Sequence, residues 1–190
     1  MKLRPKADIA DVRNSESGVT LIETLMAGTV LLLGSLSMIV LIIGSIATNN
    51  RNKMDSTQTM LATSVLEQIN STFIGAGTST LVDCAGSTWT IQTGIPALGS
   101  AGANLTGGGA IDFSQTSPPT GYRMDYVVKT PCNSLGKWQG TYDVRWHVDS
   151  IGGVGATNTY MLTVGAKLKN HGEGNKFFSL PVTLRVLSGN

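Results

Sequence analysis

At 190 residues the chain is long enough for one domain and an anchor. Only 14% of its residues are charged, the net charge is +2, and the basic residues form no cluster of the kind that tracks phosphates, so there is no electrostatic case for a nucleic-acid-binding domain. With 23 glycines and abundant Ser, Thr and Asn, long polar loops are expected.

Residues 1–18 are a polar leader of mixed charge, carrying Lys2, Arg4, Lys6 and Arg13 with Asp8, Asp11 and Glu16. Hydrophobic sequence starts abruptly at Val19 and runs to Ala47, with Glu23 as its one charged residue. At ~1.5 Å per residue this run makes a helix of about 43 Å, against a bilayer core of ~30 Å. It is too long for the apolar region of an ordinary secretory signal, and no A-x-A-like cleavage site follows it. Four basic residues precede the run, whereas Arg51 and Lys53 follow it. The positive-inside bias therefore starts the chain in the cytoplasm and puts everything beyond about residue 48 outside the inner membrane. An ionisable group inside such a span is expensive and suggests function, usually with a partner that neutralises it.

After the polar stretch "TNNRNK" the helical pattern resumes over 48–74. Leu61, Val65, Ile69 and Phe73 recur every fourth residue, while Ser56, Thr63, Glu67 and Asn70 stay polar. No proline lies between Pro5 and Pro96, so the pattern predicts one helix from about 19 to 73, ended by Gly75 and Gly77. Its second half is amphipathic and needs a surface to cover.

Residues 75–120 are rich in Gly, Ser and Thr and read as loop, with one short strand around Trp89–Thr93. From 121 to 190 the pattern switches to period two: Tyr122, Met124, Tyr126 and Val128; Tyr142, Val144, Trp146 and Val148; Tyr160, Leu162, Val164, Ala166 and Leu168; and Phe178, Leu180, Val182, Leu184 and Val186. Such alternation predicts an antiparallel sheet with one face buried and the other wet. Gly-rich turns separate the last three strands, and Pro181 assigns the last one to an edge or bulge. The fold class expected is α+β, a long N-terminal helix packed on a C-terminal antiparallel sheet, with 48–120 joining 121–190 in a globular head.

Cys84 and Cys132 are the two cysteines. In an oxidising compartment they read as a disulfide, with two separate buried thiols as the alternative. No constellation for catalysis, cofactor or metal is legible. His147 belongs to the wet face of its strand beside Asp149, His171 falls in a Gly-rich turn, and the glycines at 107–109 follow no strand.

Gly18, Val19, Thr20, Leu21, Ile22 and Glu23 carry a further message. A leader ending in Gly, followed by an apolar span with Glu at its fifth position, resembles the class III signal of type IV pilins and type II secretion pseudopilins. The resemblance implies cleavage between Gly18 and Val19 by an aspartyl prepilin peptidase, N-methylation of Val19, and assembly with other pilin or pseudopilin subunits through Glu23. In similar proteins the Glu at this position attracts the N-terminus of a neighbouring subunit. The chain departs from the common pattern in several ways. Val19 stands in place of the usual Phe, the leader is longer and more acidic than the short basic leaders common in major pilins, Val40 stands where major pilins of one type have Pro, and the cysteines lie far from the C-terminus. These departures favour a minor pilin or a pseudopilin over the main structural subunit. A head of this kind could also bind a surface, DNA or a secreted protein.

The junction at Gly18 generates a first prediction. Intact-mass measurement on protein from the cell envelope should find a chain beginning at Val19, with 172 residues after loss of 18 from 190 and net charge reduced from +2 to +1 by loss of four basic and three acidic residues. A cut beyond the hydrophobic run would overturn the class III reading.

Overall fold

A computed structural model describes residues 18–72, 74, 77–95, 99–151, 159–171 and 180–189, with backbone alone at 170 and 171. The expectations placed on the leader at 1–17, on Phe73, Gly75 and Phe178, and on most of the two Gly-rich turns lie outside the described residues. The chain forms two compact units, one up to Ile46 and one from Ala47 onward.

Helix α1 runs Leu21–Asn70. Thr20 opens it, its carbonyl accepting from the amides of Glu23 (3.0 Å) and Thr24 (3.2 Å). Ser71 and Thr72 close it: their hydroxyls donate to the carbonyls of Gln68 (2.9 Å) and Ile69 (2.8 Å), satisfying acceptors that a helix end otherwise leaves unpaired. The helix therefore ends three residues before the expected boundary.

In the first unit, no described residue is buried. The helix there is long and apolar enough to cross a membrane. In the second unit the same helix has a buried stripe, Gln58, Leu61, Ala62, Val65 and Ile69, at the spacing of one helical face. That stripe packs against Met124, Tyr142, Val144, Trp146, Val148, Leu162 and Val164 of the sheet, which gives the expected α+β arrangement of a long helix on a C-terminal antiparallel sheet.

The sheet contains β3 (Ser100–Gly102), β4 (Arg123–Thr130), β5 (Lys137–Ser150), β6 (Thr159–His171) and β7 (Val182–Gly189). Every pairing is antiparallel, and the 14-residue β5 is the spine. One edge of β5 pairs with β6 over Gly140–Ser150. The other edge takes two strands in tandem, β4 against Lys137–Arg145 and β3 against His147–Asp149. Gly102, at φ +123°, permits this second contact, since a Cβ there would collide with the Trp146 carbonyl. β7 ends the strand order at the edge, with Pro181 immediately before it.

Residues 75–120 hold more structure than their composition suggests. β1 (Thr78–Val82) pairs with β2 (Thr88–Gln92) in a separate hairpin, and β3 joins the main sheet. The hairpin turn is organised by Asp83, which is buried. Its carboxylate accepts from the amides of Ala85 (2.9 Å) and Ser87 (2.8 Å), from the Trp89 indole (3.4 Å) and from the Val127 amide of β4 (3.3 Å). Beside it a disulfide joins Cys84 to Cys132, with Cα atoms 4.6 Å apart.

The second face of the sheet is not wet throughout. Arg145 and Thr163 are buried there, because the segment 103–121 folds across β5 and β6. Gly165 makes room for it: a Cβ there would come within 2.9 Å of Ile111 and 3.2 Å of Phe113. Composition hid this layer, since a few apolar side chains suffice to anchor a polar loop.

The disulfide closes a 48-residue separation, for which the chain-entropy relation gives about 4 kcal/mol. Cys132→Ser should lower the denaturant stability of the head by about that amount, with recovery in the membrane fraction unchanged. Equal unfolding midpoints with and without the bond would count against it.

Candidate functional site

The residues singled out at the N-terminus sit at the start of α1. Gly18, Val19 and Thr20 are exposed and precede the helix, and Glu23 occupies its first turn. Thr20-Leu21-Ile22-Glu23 has the spacing of a capping box, in which a Thr and a Glu three residues later satisfy each other's amides. Here the Glu23 amide instead donates to the Thr20 carbonyl, and among the described residues no ion pair or hydrogen bond engages the Glu23 carboxylate. A carboxylate near a helix N-terminus gains ~0.3–1 kcal/mol from the backbone dipole, well below the several kcal/mol such a charge costs in lipid.

Around Glu23 the described residues of the helix are exposed. Leu21, Ile22, Leu25 and Met26 are 60–80% exposed, as are most of the large apolar side chains up to Ile46. At Gly28, Gly34 and Gly44 an added Cβ would meet nothing within 4 Å. Each of these glycines costs a helix interior about 0.5–1 kcal/mol relative to Ala, and no contact within the chain requires their smallness.

In the head, the cysteines meet as expected, but the charged cluster behind the sheet has no counterpart in the sequence reading. Arg145 makes a two-pronged pair with Asp143 (Nη2 to Oδ2 2.7 Å, Nε to Oδ1 3.0 Å) and donates through Nη1 to the carbonyls of Gln115 (2.8 Å) and Asp112 (3.1 Å). Its guanidinium lies 5.2 Å from the Phe113 ring centre. Every strong donor on Arg145 is directed at the overlying segment or at its own strand, so the cluster locks that segment down. Such a residue is indistinguishable in sequence from an exposed strand arginine, because its cover comes from thirty residues upstream.

His147, expected to be exposed, is half-buried. Its Nδ1 lies 2.7 Å from the Ala103 carbonyl and its Nε2 lies 2.9 Å from Asp149. The first contact ties the continuation of β3 to β5, and the second lies within β5 itself. His171 is the last residue of β6, paired with Gly140, and does not belong to the turn. Among the described residues no three His, Cys, Asp or Glu side chains gather as a metal site.

Comparison with models of protein families, with curated proteins and with solved structures finds no match.

Asp112 provides a pH test of the lock. Two hydrogen bonds from Ser114, hydroxyl (2.6 Å) first and then amide (2.8 Å), hold its carboxyl below the ordinary carboxylate range, with help from the Arg145 charge. A depressed carboxylate contributes stability that is full above its unfolded pKa, near 3.9, and is lost as pH falls through the lower folded value. The protection of segment 103–121 against hydrogen exchange, relative to the intrinsic rate at each pH, should therefore fall on acidification below about pH 4 in the wild type. In Asp112→Asn that protection should be lower at neutral pH and less sensitive to acid. Identical profiles for the two proteins would remove Asp112 from the lock.

Proposed function

We propose that this chain is a structural subunit of a type IV pilus or related filament, a minor pilin in preference to a major one, and not an enzyme. After the prepilin peptidase cuts between Gly18 and Val19 and methylates Val19, it assembles through the N-terminal helix. The observation that carries this reading is that the apolar part of α1 up to Ile46 is exposed throughout and that, among the described residues, the carboxylate in its first turn has no partner. One environment, lipid, suits the apolar side chains but leaves Glu23 costly. A bundle of like helices suits both, because cleavage creates an α-amino cation four residues before Glu23 on every subunit, and that amine is largely protonated at neutral pH. The glycines that no intrachain contact requires support the same reading, since small residues let helices approach closely.

On this reading the chain waits in the inner membrane as a single-pass protein with its head outside, and leaves it on assembly. The long leader of mixed charge, Val19, Val40 and the mid-domain cysteines favour a minor subunit. A pseudopilin of a type II secretion system has the same requirements at Gly18, Val19 and Glu23 and is the closest alternative. A membrane-anchored extracytoplasmic binding module is the other, and it would have no need of a carboxylate at position 23.

Glu23→Gln separates these. It keeps size and hydrogen-bonding capacity and deletes the charge. Cleavage after Gly18 and membrane insertion should persist, while incorporation into sheared filaments should fall, because losing one partner of a weakly screened pair costs roughly 3–5 kcal/mol. Wild-type abundance of the Gln variant in filaments would remove the assembly role of Glu23.

A further inference from the structure

Within the head, the turns of α1 that follow Ala47 and strands β4 and β5 enclose a cavity of about 420 Å³. Met54, Met60, Tyr126 and Tyr142 line it together with the disulfide, and so do two lysines, Lys53 and Lys129. The Lys53 ammonium donates to the Gln139 side chain (3.1 Å) and that of Lys129 to the Ser134 carbonyl (3.4 Å). Among the described residues neither meets a carboxylate. Two acids act on the cavity's tyrosines, Asp55 on Tyr142 and Asp83 on Tyr126. Both are engaged: Asp55 faces Arg51 (4.0 Å), and Asp83 holds its turn.

The hairpin that joins β4 to β5 continues the same character. From Lys129 to Gln139 it contains no Asp or Glu, and it presents Leu135, 95% exposed, and Trp138, 38% exposed. Met60, at the cavity, is 61% exposed. Folding gains nothing from a leucine in that position. The combination of uncovered apolar groups and lysines without carboxylates suits an amphiphile with an anionic head. Lys53 stands only six residues past the end of the apolar run, near enough in the chain for a long side chain to reach the headgroup layer of a membrane that the run would cross. A second copy of this chain, with net charge +2, offers no matching negative charge overall.

We propose that this face binds an acidic phospholipid, its phosphate held by Lys53 and Lys129, the start of an acyl chain against Met54, Met60 and the two tyrosines, and Leu135 and Trp138 entering the interfacial layer. Trp is favoured at that depth, and each lysine near an anionic surface contributes ~1 kcal/mol, about a fivefold effect on binding. The site would hold the head down on the membrane before assembly. It rests on the reading of Val19–Ala47 as a membrane span.

The experiment uses the full chain in mild detergent, with native mass spectrometry to titrate phosphatidylglycerol and phosphatidylcholine. Phosphatidylglycerol should bind first, and Lys53→Gln and Lys129→Gln should each weaken it about fivefold while leaving phosphatidylcholine unchanged. Lys129→Arg should restore binding, and cooperative unfolding of each variant confirms its fold. In vesicles, brominated phosphatidylglycerol should quench fluorescence in the wild type and lose most of that quenching in Trp138→Phe, since Trp146 is fully buried and Trp89 is half-buried with its indole on Asp83. Equal binding of the two lipids, Gln variants that bind as the wild type does, or displacement by glycerol phosphate at comparable concentration would overturn the site. So would a photoreactive group at position 135 that captures a second copy in place of lipid. Alkaline extraction of the chain from membranes would instead overturn the span itself, which separates the two failures.

Discussion

Trp146, in the middle of β5, touches every layer of the head. Its indole donates to the Gln92 carbonyl at the end of β2 (2.8 Å), its amide donates to Tyr122 (3.1 Å), and its carbonyl accepts from Ala103 (2.9 Å). Its ring, fully buried in the core shared with α1, lies 6.3 Å from that of Tyr122. A buried indole must place its N–H on an acceptor, and the acceptor here belongs to a different sheet. That requirement fixes the β1–β2 hairpin against β5. The backbone bonds of the same residue fix the approach of β3 and the entry into β4. The tandem pairing on one edge of β5 follows from this one position.

A different constraint governs the first unit. Folding can hide an apolar side chain or pair a charge only if other parts of the chain come near, and within the first unit no described residue is buried. The helix is therefore stable as a helix through its backbone bonds and unfinished as a surface. Such an element is completed by lipid, by other helices, or by each in turn. On the proposed reading, an uncompensated carboxylate would make the second of these environments preferable to the first.

The sequence showed what depends on near neighbours in the chain. The stripe Leu61, Val65, Ile69 and the alternation in β4 to β7 are local patterns, and each found its expected face except at Leu180, which precedes β7 and is 60% exposed because the strand starts only after Pro181. What was hidden depends on distant partners. The burial of Arg145 follows from Phe113 and two loop carbonyls, and nothing within its own strand announces it. β1 and β3 were hidden because Gly-, Ser- and Thr-rich strands lack hydrophobic alternation, and the half-burial of His147 because its cover is the Ala103 carbonyl. The lysines at 53 and 129, far apart in sequence, become one site only through the packing of α1 on the β4–β5 hairpin. At the N-terminus the legible part was the motif itself. The structure adds that its carboxylate is left without a partner among the described residues.

The bond between Cys84 and Cys132 also turns a stretch of chain into a loop closed by covalent bonds. That loop contains β2, β3, β4 and the segment 103–121, including the exposed Gly107-Gly108 turn. A protease that cuts anywhere between the two cysteines opens the loop without releasing a fragment, because both new ends stay tethered through sulfur. A head nicked once at the exposed Gly107-Gly108 turn would thus still remain one molecule on its helix.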